Sequence, residues 1–129
     1  MKPAPIGSAY KFQPSQIVCL EHEDTCLYTE VIEVVTLRPV CWVRPLMLVI
    51  SEATGDAPTS AEPLTLYDLR EGADLVWPTI LFRAALDTEV IPLLAKLDNL
   101  DANLASSPDV HKQLSLFVRK VWLAYKETF

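Results

Sequence analysis

Few side chains in this sequence are able to do chemistry, and three of them crowd one stretch. Cys19, His22 and Cys26 have the spacing Cys-x2-His-x3-Cys. Thiolate and imidazole donors of this kind hold zinc, with His111 or Cys41 available as a fourth ligand. Zinc sites favour tighter pairs such as C-x2-C, and only acidic neighbours, Glu21, Glu23 and Asp24, flank the histidine. The same residues supply a thiol–imidazole pairing for nucleophilic catalysis, Cys19 or Cys26 with His22 or His111. The plainer alternative is a pair of strand cysteines beside an exposed polar turn, behaving as small hydrophobes. The three glycines, Gly7, Gly55 and Gly72, are too scattered for a nucleophile elbow, a phosphate-cradling loop or a dinucleotide fingerprint. Carboxylates such as Glu21 with Glu23, or Glu30 with Asp68, carry no acid–base argument without a pocket. Strand alternation puts Glu30 and Glu33 on opposite faces. No catalytic residue and no cofactor follow from these patterns.

A second constellation suits recognition better. Trp42 and Arg44 are two residues apart in a β-prone run and so share a strand face. Tyr67, Trp77, Phe82 and Arg83 come from later segments. Trp, Tyr and Arg are the anchor residues enriched at protein interfaces. Glu30, Glu33 and Asp68 would form an acidic rim that steers a basic partner. Against this stands burial: Trp42 and Trp77 suit a core equally well, with Arg44 pairing to Glu30 or Glu33.

The elements that must position these residues are read from periodicity. Residues 1–15 hold three prolines and read as an extended or mobile arm before a domain covering 16–129. Ile17–Leu20 is a short strand, followed by a polar turn at 21–25. Residues 26–37 and 40–50 are dense in β-branched and aromatic side chains, and Arg38-Pro39 divides them into a hairpin. Residues 51–63 lack any large apolar side chain and read as a mobile loop. Further short strands follow at Leu64–Leu69 and Asp74–Trp77, so strands occupy roughly 16–83. A helix over about 88–98 shows Val90, Leu93, Leu94 and Leu97 on one face, with Asp87 or Thr88 as its cap and Pro92 in its first turn. A second helix over about 108–127 starts at Ser106-Ser107-Pro108 and stripes Val110, Leu114, Phe117, Val118, Val121, Trp122 and Tyr125. Leu114, Val118 and Val121 are expected in the core, and Tyr125 and Phe129 partly exposed.

Composition narrows the function. The chain has 129 residues, half of them apolar, enough to bury the core of one domain. Net charge is −6, and residues 1–82 carry all of it, while 83–129 balance. Such a chain lacks the basic stripe that nucleic acids and anionic lipids demand. Its apolar runs are too short to span a membrane. No apolar stretch follows Lys2, so no secretory leader is expected and a cytoplasmic location is. Cys19, Cys26 and Cys41 are then expected as free thiols.

The runs LYTEVIEVVTLRPVCWVRPLMLVI (27–50) and LYDLREGADLVWP (66–78) resemble those of a family of small uncharacterised cyanobacterial proteins. The resemblance implies a cytoplasmic bacterial protein and carries over no catalytic residue. The strand pattern is also similar to SH3-like small barrels, a likeness of fold alone. The expectation is an α+β fold: a small curved antiparallel sheet or partly open barrel, then two helices. Its function is read as a non-enzymatic adaptor or assembly factor that binds a protein through the Trp42–Arg44 surface. A metal-dependent or thiol-based enzyme or regulator built on Cys19, His22 and Cys26 is the first alternative, and a homodimeric structural protein the second.

Overall fold

The computed structural model describes residues 12–35, 37, 39–51, 64–99 and 108–127. Residues 1–11 of the arm, 52–63 of the expected loop, the Ser106-Ser107 cap and Phe129 lie outside that range. Among the described residues, six strands form one open, curved antiparallel sheet. They are β1 (Ile17–His22), β2 (Thr25–Val35), β3 (Val40–Ser51), β4 (Leu64–Asp68), β5 (Leu75–Pro78) and β6 (Arg83–Ala84). The order is β4-β3-β2-β1-β6, and β5 joins β3 as well. Long β3 thus has two partners along one edge: β5 pairs its first half, Val40–Val43, and β4 its second, Met47–Ser51. Between them the Leu69 amide donates to the Leu46 carbonyl at 3.0 Å. A 3-10 turn, Thr79–Leu81, links β5 to β6.

Among the described residues two helices follow, α1 (Asp87–Asp98) and α2 (Pro108–Tyr125). They take opposite faces of the sheet. Val110, Phe117 and Val121 of α2 pack with Val18, Leu20, Leu27, Val31, Cys41, Val43 and Leu48. Val90 and Leu97 of α1 pack with Cys19, Tyr28, Met47 and Val49. The alternation of strand side chains makes this necessary, because β1 to β3 are apolar on both faces through their middles. Each fully buried Leu, Val or Phe stabilises by about 1.5–3 kcal/mol relative to exposure. A bare face would forfeit several such terms. The α1 stripe holds, with Leu93 and Leu94 flanking the contact. The α2 stripe holds in part, since Leu114 and Val118 are half-buried at its margin, Tyr125 is partly exposed and Trp122 is 47% exposed.

Two features of α1 differ from expectation. Leu86, whose side chain has no acceptor to offer, occupies the N-cap position, while Asp87 and Thr88 lie inside the helix. The cap comes instead from Glu89, whose Oε1 accepts the Leu86 amide at 2.8 Å. Pro92 is the sixth helical residue, beyond the first turn, so the Thr88 carbonyl loses its intrahelical donor.

Glu89 does more than cap. Arg83 of β6 donates Nη1 to its Oε1 at 2.8 Å and Nη2 to its Oε2 at 3.0 Å. The Tyr28 hydroxyl, from the middle of the sheet, donates to Oε2 at 2.8 Å. Arg83 Nε also donates to Glu21 of β1. One carboxylate therefore fastens the start of α1 to β2 directly and to β1 and β6 through Arg83. The Arg83 hydrogen bonds hold the Glu89 carboxyl down to about 2, from an ordinary 4.5, with the Leu86 amide and the Tyr28 hydroxyl acting in the same direction. The stability linked to this depressed value is fully present above pH 4.5 and is lost as pH falls toward 2. Glu89→Gln should lower stability at neutral pH by about 1–2 kcal/mol, given charge-assisted bonds at a partly solvated site. It should also flatten the acid limb of the curve. Urea unfolding at neutral pH and at about pH 3 checks both. Parallel losses in wild type and variant would assign the acid sensitivity elsewhere.

Candidate functional site

α1 covers only part of its face of the sheet. Beyond it, toward the Val35–Val40 end of the β2–β3 hairpin, Glu33, Trp42, Arg44 and Val76 are exposed and Glu30 is half-buried. Two irregularities in the hairpin bring these side chains together. Tyr28 opposes Met47, but Thr29 opposes Pro45, so Leu46 is an extra residue in β3. Proline cannot donate to a ladder and is tolerated at such a bulge. Further on, Val31 opposes Val43 and Glu33 opposes Trp42, leaving Ile32 extra in β2. Strict alternation separates Glu30 from Glu33. The Ile32 bulge cancels that separation, so Glu30 opposite Arg44 and Glu33 opposite Trp42 share one face.

β5 supplies the remainder. Val76 opposes Trp42 from the other side. Asp74, just before β5, accepts the Trp42 indole N–H through Oδ2 at 2.9 Å. Its Oδ1 lies 3.5 Å from Arg44 Nε. The ion pair is half exposed and worth at most about 1 kcal/mol. Its effect is orientation: one carboxylate fixes both the indole and the guanidinium. Trp42 nevertheless remains 39% exposed. The surface is thus one tryptophan, one arginine and an exposed valine among three carboxylates, an apolar plate in a negative field suited to a cationic or amphipathic group.

The other expected members lie elsewhere. Trp77 is 8% exposed and packs in the core beneath α2, because it opposes Cys41 on the opposite face. Phe82 is buried in that core too, and Tyr67 packs against it. Asp68 opposes Met47 at the end covered by α1, where Arg70 binds it through Nε and Nη2, each at 3.0 Å. Arg70 continues to Asp98 of α1 at 3.0 Å. Arg83 lies across the sheet on β6 and is held by Glu21 and Glu89. Only Trp42, Arg44, Glu30 and Glu33 come together, and Asp74 and Val76 join them. Asp74 carries a signal in retrospect. It stands two residues before Val76, as Arg44 stands two after Trp42, so an antiparallel pairing of 42 with 76 brings 44 to 74.

The thiol–histidine constellation does not converge. Cys19 and Cys26 are on the α1 face, whereas His22, an odd number of residues from Cys19, turns to the other face. There its ring meets Tyr125 of α2 edge-on, with centroids 5.9 Å apart. Cys41 belongs to the α2-side core, and His111 is exposed on α2. Among the described residues, no three His, Cys, Asp or Glu side chains are placed to hold a metal ion. The thiols are also poor nucleophiles. Burial, the dominant cause, pushes Cys19 up to about 12 and Cys26 up to about 11, with Glu21 adding in the same direction. Burial raises Cys41 as well.

In the folded protein at neutral pH, Cys19 and Cys41 should react with a disulfide reagent only at the rate of unfolding, and Cys26 more slowly than a free thiol. Stopped-flow labelling with and without denaturant checks this. Fast native labelling of Cys19 would contradict its placement under α1. No family model matches the chain, and neither a curated protein nor a solved structure matches it at a significant level.

Proposed function

We propose that the chain is a non-enzymatic protein-binding module, an adaptor or assembly factor, whose dock is the Trp42 face. The observation that carries this reading is Trp42 itself. Its ring is oriented by Asp74 and left 39% exposed on the half of the sheet that α1 does not cover. A tryptophan held rigid before binding loses little conformational entropy when a partner arrives. Glu30, Glu33 and Asp74 outnumber Arg44, so the face attracts a basic segment, and the net −6 of the whole chain acts in the same direction. A lysine or arginine stem laid across the indole would meet both its π-face and these carboxylates.

Trp42→Ala should remove a partner captured by the tagged wild-type protein from its native cell, with little change in melting temperature. Quantitative mass spectrometry of the two captures, beside calorimetry of the two proteins, checks this. An identical set of captured proteins would refute the reading. A large fall in melting temperature would show instead that Trp42 serves the core.

A further inference from the structure

The described arginines of the sheet region are all engaged by carboxylates: Arg44 by Asp74, Arg70 by Asp68 and Asp98, and Arg83 by Glu21 and Glu89. The cations of α2 are not. Lys112, Arg119 and Lys120, with Lys126 in the turn just after the helix, are exposed and make no ion pair with a described residue. Helical spacing gathers Lys112 and Arg119 with Leu116 and Leu123 on the side opposite Val110, Phe117 and Val121, and sets Lys120 on the flank between them. Leu116 is 45% and Leu123 61% exposed. Beside this stripe runs a groove of about 170 Å³ between α2 and the ends of β2 and β3. Leu48, Ile50, Leu116 and Phe117 give it apolar walls, and Gln113 and Lys120 stand on its helical lip, with Asp24 on the other. A space of roughly this size admits one aliphatic or aromatic side chain.

We infer that the outward face of α2 is a second dock, and that its occupant is an acidic amphipathic segment of another protein. An apolar side chain of that segment enters the groove beside Leu116, and its carboxylates meet Arg119, Lys120 and their neighbours. Charge selects this occupant. A second copy packed helix to helix would set the cations of one copy against those of the other, which is repulsive. A lipid surface would also face the acidic remainder of a chain of net −6, whereas a short segment meets the α2 stripe alone. The dock is on the face opposite Trp42 and does not depend on the Trp42 reading.

The test uses the full chain and a fluorescein-labelled peptide with leucines spaced three and four residues apart and glutamates between them. Fluorescence anisotropy should show saturable, salt-sensitive binding. The double variant Arg119→Glu, Lys120→Glu should weaken it about tenfold or more. Leu116→Gln should weaken it severalfold, and Trp42→Ala should leave it unchanged. The same peptide with lysine in place of each glutamate should not bind. Circular dichroism melting verifies that each variant folds, with Arg119→Gln, Lys120→Gln as the replacement pair if the charge reversals do not. The inference is overturned if the acidic peptide fails to bind or binds the double variant equally well. It is also overturned if the chain instead sediments with phosphatidylserine–phosphatidylcholine vesicles, or dimerises in a manner that the double variant alters.

Discussion

The interior of this protein is governed by one constraint: the central strands are apolar on both sides. Val18 and Leu20 look one way, Ile17 and Cys19 the other, and β2 and β3 repeat the pattern around Leu27, Tyr28, Met47 and Leu48. Such a sheet cannot leave either face to water, so the two helices are divided between them. The exposed surface is then what the helices fail to cover. α1 has twelve residues, as does β3. Twelve helical residues reach about 18 Å, and twelve in a strand about 40 Å. α1 cannot shield the length of its face at any crossing angle, and the Trp42 end is the remainder.

Electrostatics separates the two exposed regions. Around the sheet each described arginine is held by at least one carboxylate, and Asp74 and Glu89 each organise more than one donor. These networks fix geometry: Asp74 turns an indole outward, and Glu89 seats a helix. On α2 the cations have no such partners among the described residues, so their field extends into solvent within a Debye length of about 8 Å at physiological salt. A sheet face of negative character and a helix face of positive character therefore look in opposite directions from one thin layer.

Much of this organisation was legible in the sequence. Helical periodicity located both helices and their buried stripes, and β-branched density located the hairpin, because both signals arise from local backbone geometry. The pairing of Trp42 with Arg44 followed from alternation alone. What escaped the sequence was non-local. Neither bulge is marked by glycine. Leu46 and Ile32 are ordinary strand residues, and Pro45 reads as a breaker until its opposite number, Thr29, is known. Without the second bulge, Glu33 is assigned to the wrong face. Trp77 and Val76 are equally plausible surface residues until β5 is known to pair with the first half of β3. The cap of α1 escaped because its acceptor comes from Glu89 inside the helix, with leucine at the position where a polar side chain is usually sought.

The strand order has a consequence for how the chain assembles. β1 through β4 lie side by side in the order in which they occur, so their pairings close short loops. β6 is different, because it must return to lie beside β1 and set Ala84 against Val18 and Arg83 against Cys19. That pairing spans a far longer loop and is correspondingly slow to form. The meander that carries Trp42 and Arg44 can thus collapse early, whereas the fastening of Glu89 to Tyr28 and of Arg83 to Glu21 waits for β6 to reach β1. Until then the faces of Cys19 and Tyr28 stand open, and β1 is an unguarded edge. The step that closes the molecule is also the one that protects it from pairing with its neighbours.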